Sequence, residues 1–181
     1  MINTATMPYT ATPKLSNAFQ LRESTTIAKP VEVVFDFVVQ ELQHCYTRIA
    51  EGHQQFTIRG ATKLVEGALI DCVEAVGDQS VRHCYVVKRI APGKRITYDS
   101  VPSHATLKIG RRVIEARSNT YVTFEFAKAN SGDTRLTQSI VIEMPNSISK
   151  VMASLTGTGR LWNRHLTEEL HGLKREIEAL A

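Results

Sequence analysis

The sequence predicts an α+β protein in which a curved antiparallel sheet wraps around a long C-terminal helix, with two short helices after the first strand. Three observations predict this fold class. Strand-like alternation recurs between turn residues from about residue 55 to residue 144, an apolar stripe with helical spacing occupies residues 160–180, and one strand followed by helical spacing precedes both. Strand and helix signals that are segregated along the chain are typical of α+β proteins.

The chain is short enough for a single hydrophobic core, because cores stop growing efficiently only beyond about 250 to 300 residues. Its 181 residues are 43% apolar and 22% charged, which is typical of globular proteins. The first 17 residues are rich in Thr, Ala and Pro and have no apolar periodicity. We therefore expect a flexible N-terminal tail at residues 1–17 and one folded domain at residues 18–181.

The domain is expected to begin with a strand and two short helices. Phe19, Leu21 and Ile27 alternate with polar side chains, as in a half-buried strand. Pro30 suits the first turn of a helix, because its missing N–H is not needed there. The apolar side chains that follow have three- and four-residue spacing; they are Val31, Val34, Phe35 and Val38. A second helical piece is predicted over residues 41–49.

Antiparallel strands are predicted to follow as a meander with glycine turns. Gly77-Asp78 is predicted to make a tight hairpin, because glycine adopts a positive φ without penalty. The turn at residues 131–133 is predicted to make the last hairpin. Alternation predicts an inward face on the two strands around that turn, made of Val122, Phe124, Phe126, Leu136, Ile140, Ile142 and Met144.

The segment from Ser103 to Ser118 gives a mixed signal. Leu107 and Ile109 alternate with polar residues, but arginines interrupt the pattern, so we predict an edge extension or a flap whose role the sequence leaves open. The densest basic cluster of the chain lies here, and it has no interleaved aromatic side chains that could stack on bases. We interpret it as a solvated strand face; its members are Lys108, Arg111, Arg112 and Arg117.

The C-terminal segment is predicted to be helical with one interruption. A first apolar stripe follows Pro145, and a second stripe runs from residue 162 to residue 180. Between them stand Gly157 and Gly159, and each glycine costs about 1 kcal/mol relative to alanine inside a helix. We therefore predict a kink or break there, followed by a helix over residues 160–180 that extends roughly 30 Å.

Three stretches resemble START-like and polyketide-cyclase proteins, the SRPBCC superfamily with the helix-grip fold. Residues 24–38 (STTIAKPVEVVFDFV) are similar to their first strand and first helix, and residues 132–137 (GDTRLT) to the turn into their last strand. Trp162 and the tail at residues 173–178 (LKREIE) resemble the end of their long helix. The resemblance extends from about residue 18 to the C-terminus, and its diffuse positional patterns support the fold better than a function.

The resemblance implies an internal apolar cavity between the bent sheet and the long helix. Relatives use this cavity to carry lipids, hormones or other hydrophobic molecules, or to fold and cyclise polyketide chains. The candidate ligand-binding residues on this reading are Tyr98, Phe124, Leu136, Ile140, Met152, Leu155, Trp162 and Leu166. For each of them the alternative interpretation is an ordinary core position.

The sequence contains no recognisable catalytic motif. It lacks a GxSxG elbow, a phosphate-binding GxxxxGK[ST] loop and a GxGxxG after a strand, so we predict no nucleotide or other cofactor. Its six histidines show no HExxH spacing and its three cysteines no CxxC, so we predict no metal site. If the protein is an enzyme, proton transfer during cyclisation would fall to polar groups of the cavity. The candidates are Tyr98, Tyr85, His83 and Arg89.

Three functions therefore remain open at the level of the sequence. The first is binding or transport of a small hydrophobic ligand of lipid, polyketide or aromatic type. The second is a polyketide cyclase or aromatase-like enzyme, and the third is a co-chaperone or stress-response interaction module. The net charge of +4 is spread along the chain, so we expect no nucleic-acid partner. No apolar run is long enough to span a membrane and no secretory signal is recognisable, so we expect a cytoplasmic protein with at most transient membrane-surface contact. The oligomeric state stays open.

Overall fold

Seven antiparallel strands form one sheet in the described part of the chain, which comprises residues 17–109, 112–129, 132–155 and 157–180 of a computed structural model. The strands are β1 (Ala18–Ile27), β2 (His53–Arg59), β3 (Leu69–Val76), β4 (Gln79–Ala91), β5 (Arg95–Ile109), β6 (Arg112–Lys128) and β7 (Thr134–Glu143). The helices are α1 (Val31–Ile49), α2 (Ser147–Leu155) and α3 (Thr158–Glu178). The predicted α+β class, with a long C-terminal helix against an antiparallel sheet, is confirmed. The predicted tail lies almost wholly outside the described residues.

The strand order β1-β7-β6-β5-β4-β3-β2 places the first two strands of the sequence at opposite edges of the sheet. Helix α1 makes the connection between them. At 1.5 Å per residue its 19 residues extend about 28 Å, and six inter-strand spacings of about 4.8 Å sum to nearly the same length. The length of α1 therefore matches the width of the sheet that it crosses.

The prediction of two short helices after the first strand is wrong, because α1 is continuous from Val31 to Ile49. No glycine or proline separates the two predicted pieces. The apolar stripe also runs on through Leu42, Cys45 and Tyr46 at three- and four-residue spacing, and all three side chains are buried. Burial of one uninterrupted face thus favours one helix over two.

The β-hairpins follow the predicted turns, except that one is longer than expected. Val76 pairs with Gln79 across Gly77-Asp78, and Gly77 has the positive φ that the prediction required. The ambiguous segment from Ser103 to Ser118 forms the paired ends of β5 and β6. In the described pairing, residues 112–118 pair with β5 alone, because β7 joins β6 only from Asn119 onward, so this part of the hairpin extends beyond β7 as the predicted edge extension requires. Arg117 of the basic cluster is exposed, whereas the side chains of Lys108, Arg111 and Arg112 lie outside the description.

The predicted interruption of the C-terminal helix is confirmed. Gly157 adopts a left-handed conformation, with φ of 73°, between α2 and α3. Helix α3 then packs on β1 and on the end of α1. At the crossing of α3 with α1, Gly172 lies so close to Ile49 that a Cβ atom would stand 1.9 Å from the Ile49 carbonyl oxygen. Only glycine permits this approach of the two helices.

The core has two parts, both on the side of the sheet that faces the helices. A large cluster joins α1 and the C-terminal half of α3 to the sheet, and its fully buried members include Val34, Phe124, Leu136, Leu173 and Ile177. A smaller cluster consists of Leu21, Val81, Trp162 and Leu166. No helix in the described ranges has both the length and the apolar character needed to cross a lipid bilayer.

Candidate functional site

A cavity of about 340 Å³ lies between the inner face of the sheet and helices α2 and α3. Residues from both core clusters line it, so it occupies the space that the two clusters leave between them. Most of its wall is apolar. The apolar side chains in the wall include Phe19, Leu21, Phe56, Val81, Val122, Ile140, Ile142, Met144 and Trp162.

The cavity has an outer and an inner end with different chemistry. Ile148 of α2, at the outer end, is 77% exposed, whereas Glu169 of α3 is 5% exposed. Polar groups gather around Glu169 at the inner end, where the wall also contains Glu74 and Gln138. A molecule that enters beside α2 would therefore pass apolar side chains before it meets carboxyl and amide groups.

The predicted ligand-binding residues separate into three groups. Tyr98, Ile140 and Trp162 line the cavity. Phe124, Leu136 and Leu166 are buried but belong to the packed core rather than to the wall, as their alternative interpretation allowed. Strand parity placed these side chains on the inward face but could not tell the wall of a void from the core beside it.

The remaining two predicted ligand-binding residues lie on α2. Leu155 is 77% exposed, so its predicted inward position is wrong. The left-handed turn at Gly157 separates α2 from α3, so the apolar stripe of α2 does not continue the buried stripe of α3. The side chain of Met152 lies outside the description.

Three of the four predicted acid/base candidates meet on the cavity wall. His83 stacks on Tyr85 with ring centroids 4.7 Å apart, and Tyr85 contacts Tyr98 edge to face at 4.9 Å. Bulges in the pairing of β4 with β5 lie beside His83 and Val87, and bulges bend a sheet and re-aim its side chains. Arg89, beyond the second bulge, is exposed and absent from the wall, so its prediction as a cavity group is wrong.

Burial controls the protonation of these groups. Burial lowers the pKa of His83 to about 4, so its imidazole is neutral at neutral pH, and its Nδ1 lies 2.7 Å from Ser103 Oγ. Burial also raises the pKa of Tyr85 and of Tyr98 well above the usual value, so both phenols keep their protons. This wall offers neutral hydrogen-bonding groups rather than charges.

Sequence reasoning missed the polar groups at the inner end. The Tyr46 hydroxyl donates a hydrogen bond to Glu74 and lies 3.1 Å from Cys72 Sγ. Glu169 is hydrogen-bonded to Gln138. A signal was present: Glu74 occupies the same strand face as the apolar Ile70 and Cys72, and Glu169 interrupts the apolar stripe of α3. A carboxyl group at a position that periodicity assigns to the interior is informative, since buried charge is costly.

The two inner carboxyl groups have opposite pKa shifts. Burial first, and then the negative charge of Glu74, raise the pKa of Glu169 to about 8, so this group is largely protonated at neutral pH. Burial also works to raise the pKa of Glu74, but His83, which becomes charged in the same acidic range, then the other nearby histidines and the Tyr46 hydroxyl together lower it. The inner end thus pairs a neutral acid with a carboxylate.

Two further histidines lie against this end of the cavity. His53, which begins β2, stacks on Tyr46 with ring centroids 3.8 Å apart, and its Nδ1 lies 2.9 Å from the Tyr46 carbonyl oxygen. His165 of α3 contacts the His53 ring edge to face at 4.8 Å. The prediction of no metal site considered only spacing along the sequence, whereas His53, Glu74 and His165 come from three separate elements.

Solved structures that match this structure share little sequence with it. A conserved protein from Geobacillus kaustophilus gives a TM-score of 0.60 at 13% identity, over 88% of this chain and 95% of that chain. The major latex-like protein 151 from Panax ginseng gives 0.58 at 14% identity, over 90% and 96%. DynU16, a protein in the dynemicin biosynthetic locus, gives 0.50 at 15% identity, over 88% of this chain and 47% of that chain.

No protein-family model matches the sequence, and no curated protein shows significant similarity to it. The structural matches establish the fold alone at these levels of identity. They confirm the predicted fold, since the chain has the helix-grip fold.

Proposed function

We propose that this protein binds a small hydrophobic molecule of lipid, polyketide or aromatic type in the cavity between the sheet and α3. The observation that carries the proposal is a mostly apolar cavity of about 340 Å³ in which the polar groups are concentrated at one end. Ligand sites in proteins are typically about 300 to 1,000 Å³, largely apolar, with a few polar groups that fix orientation.

The wall suggests how such a ligand would be oriented. Its apolar body would lie against Leu21, Val81 and Val122, where burial of apolar area contributes about 25 cal/mol per Å². A hydroxyl or carbonyl group at its end would reach the inner polar groups, Tyr98 and Glu169 among them. A fully apolar ligand would offer these groups no hydrogen bond of its own, so we expect a preference for ligands with one polar end.

Two parts of the sequence predictions carry over into this proposal, the polyketide class of ligand and transient contact with a membrane surface. The structural match to a protein of the dynemicin biosynthetic locus supports polyketide-type compounds as one class to include in a ligand panel. Cytoplasmic location and transient contact with a membrane surface stay predictions. The exposed apolar side chains of α2 at the outer end support the membrane contact; they are Ile148, Val151 and Leu155.

Ligand entry should be visible in the fluorescence of Trp162, which is the only tryptophan of the chain and lines the cavity. Titration with a panel of fatty acids, sterols, flavonoids and polycyclic polyketides should give a saturable change in emission for at least one class. The same compounds should raise the melting temperature, because a ligand that binds only the folded state stabilises it. At a ligand concentration of 100 times Kd this stabilisation is about 2.7 kcal/mol. Trp162→Phe should lose the optical signal and keep the thermal shift. A panel that gives neither signal would contradict the proposal.

A second candidate function is a polyketide cyclase or aromatase-like enzyme. The contacting rings of His83, Tyr85 and Tyr98 on the wall favour it, because aldol-type cyclisation needs only proton transfer and polarised carbonyls. If it is correct, Tyr98→Phe should lower turnover of a cyclisable polyketide by about 100-fold or more while Kd changes little, since a positioned acid/base group contributes about 10² to 10⁴ in rate. Equal turnover by the variant and the wild type would remove Tyr98 from the reaction and leave the binding proposal.

A further inference from the structure

Three side chains at the inner end of the cavity converge on one point. His53, Glu74 and His165 each offer one ligand atom, an imidazole nitrogen or a carboxylate oxygen, and these atoms all lie within 4.8 Å of one another. His53 and Glu74 are directly paired across β2 and β3, and His165 approaches from α3. In a tetrahedral zinc site with ligands at about 2.0 to 2.2 Å, the ligand atoms are about 3.4 Å apart. Side-chain shifts of little more than about 1 Å would close the cluster around an ion.

Both histidines present an imidazole nitrogen that has no hydrogen-bond partner. A carbonyl oxygen can only accept, so His53 carries its proton on Nδ1, bonded to the Tyr46 carbonyl, and its Nε2 keeps a lone pair. His53 Nε2 and His165 Nε2 are both buried without a partner, although each residue is only 4% exposed. Buried polar atoms are nearly always satisfied, and an Nδ1–H bonded to a carbonyl with a free Nε2 is the usual state of a metal-binding histidine.

The backbone beside the cluster makes room for His165. A Cβ atom on Gly52, which precedes His53, would stand 2.7 Å from the Ala75 carbonyl oxygen and 3.0 Å from His165 Cε1. The absence of a side chain at this position therefore lets His165 reach the pair formed by His53 and Glu74.

The charges around the cluster also favour a cation. Glu74 and Glu169 both line the cavity, and none of the described lining residues is a lysine or an arginine. Glu169 lies one helical turn after His165, and its Oε2 is 4.0 Å from His53 Nε2. Buried carboxyl groups are stabilised by pairing with a cation or by metal coordination, and the described cavity wall supplies no such cation.

We propose that His53, Glu74 and His165 form a binding site for one divalent first-row transition-metal ion. Zn²⁺ is the ion with which the site is tested below. Two imidazoles and one carboxylate are a ligand set that such ions accept, and a site with three protein ligands keeps a fourth position open. Of the three ligands only Glu74 lines the cavity, together with the neighbouring Glu169, so the ion would adjoin the cavity on the side of these two carboxyl groups. An ion there would polarise an oxygen atom of a molecule bound in the cavity.

The test uses untagged full-length protein, stripped of metal with a chelator and titrated with ZnCl₂ by calorimetry, with metal content counted by mass spectrometry. We expect one Zn²⁺ per chain and a higher melting temperature. His165→Ala should lower the affinity by about 100-fold or more, since the loss of even an outer hydrogen-bond partner lowers metal affinity by 10 to 100-fold. His171→Ala is the matched control, because His171 is exposed on the same helix.

Glu74→Gln provides a second variant in case His165→Ala does not fold. It keeps the shape of the side chain and an oxygen that accepts the Tyr46 hydrogen bond, but it removes the charged ligand, so Zn²⁺ affinity should fall while the folded spectrum is kept. Wild-type protein that binds less than one Zn²⁺ per chain, or equal affinity in the wild type and both variants, would overturn the site. The inference does not rest on the proposed hydrophobic ligand, and the Trp162 titration tests that ligand separately.

Discussion

Replacement of Gly172 by alanine is expected to lower the free energy of unfolding by about 3 kcal/mol or more. The added Cβ atom would stand 1.9 Å from the Ile49 carbonyl oxygen and 2.5 Å from two further backbone atoms of Ile49. A backbone atom cannot rotate away as a flexible side chain can, so α3 must move away from α1. Overpacking alone costs about 1 to 3 kcal/mol, and a clash with fixed backbone lies at or beyond the upper end. Urea unfolding followed by far-UV circular dichroism measures the change.

Gly159→Ala is the matched control within the same helix. The nearest atoms to its new Cβ would be those of the Phe19 ring at 3.9 Å, which is an ordinary contact. Because glycine costs about 1 kcal/mol relative to alanine inside a helix, this variant should be as stable as the wild type or more stable by up to about 1 kcal/mol. Equal unfolding midpoints for the two variants would show that α3 does not approach α1 as closely as described.

Val81→Trp is expected to raise the Kd for any cavity ligand by about 100-fold or more, which is about 2.7 kcal/mol of binding free energy. Val81 lies on β4 with its side chain in the wall, next to Trp162 and Leu21. An indole at this position would occupy space that the ligand needs. Because the new ring enters a void, the cost in stability should not exceed the 1 to 3 kcal/mol that is typical of overpacking. Calorimetry or native mass spectrometry with the ligand identified through Trp162 measures the loss.

Val86→Trp controls for the general effect of a large side chain on β4. Val86 is half-buried, lies on the opposite face of the strand and does not line the cavity. Its replacement should leave Kd within about a factor of two of the wild-type value. If Val81→Trp binds the ligand as tightly as Val86→Trp, the ligand does not occupy this cavity, whatever its effect on melting temperature.

Local patterns were sufficient for most of the fold. The turn at Gly77-Asp78, the break at Gly157 and the inward faces of β6 and β7 depend on the conformational freedom of glycine and on strand alternation, both of which are read from adjacent residues. The prediction of two helices in place of α1 was wrong although the local pattern was adequate. The apolar stripe of α1 continued through Leu42, so the periodicity itself favoured one helix.

The candidate site could be predicted only in part. Tyr98 and Trp162 lie in the cavity wall, as predicted. Leu155 was predicted to lie inside because its spacing matches the apolar stripe of α3, but the turn at Gly157 separates the two helices and leaves Leu155 exposed. Glu74 and Glu169 were missed although each stands at an inward position of its element. Their importance depends on what lies opposite, and this is information that no single helix or strand contains.

By itself the sequence determined most of the elements, their order and the buried side of the strands, of α1 and of α3, because periodicity, glycine turns and proline act over a few residues. Only the tertiary structure decided which inward side chains fill the core and which border a void. It alone also brought together His53, Glu74 and His165, which are 21 and 91 positions apart in sequence. The physical reason is that the periodicity within one helix or strand determines which of its side chains can be buried. A cavity and its chemistry arise only where the surfaces of several elements meet without filling the space between them.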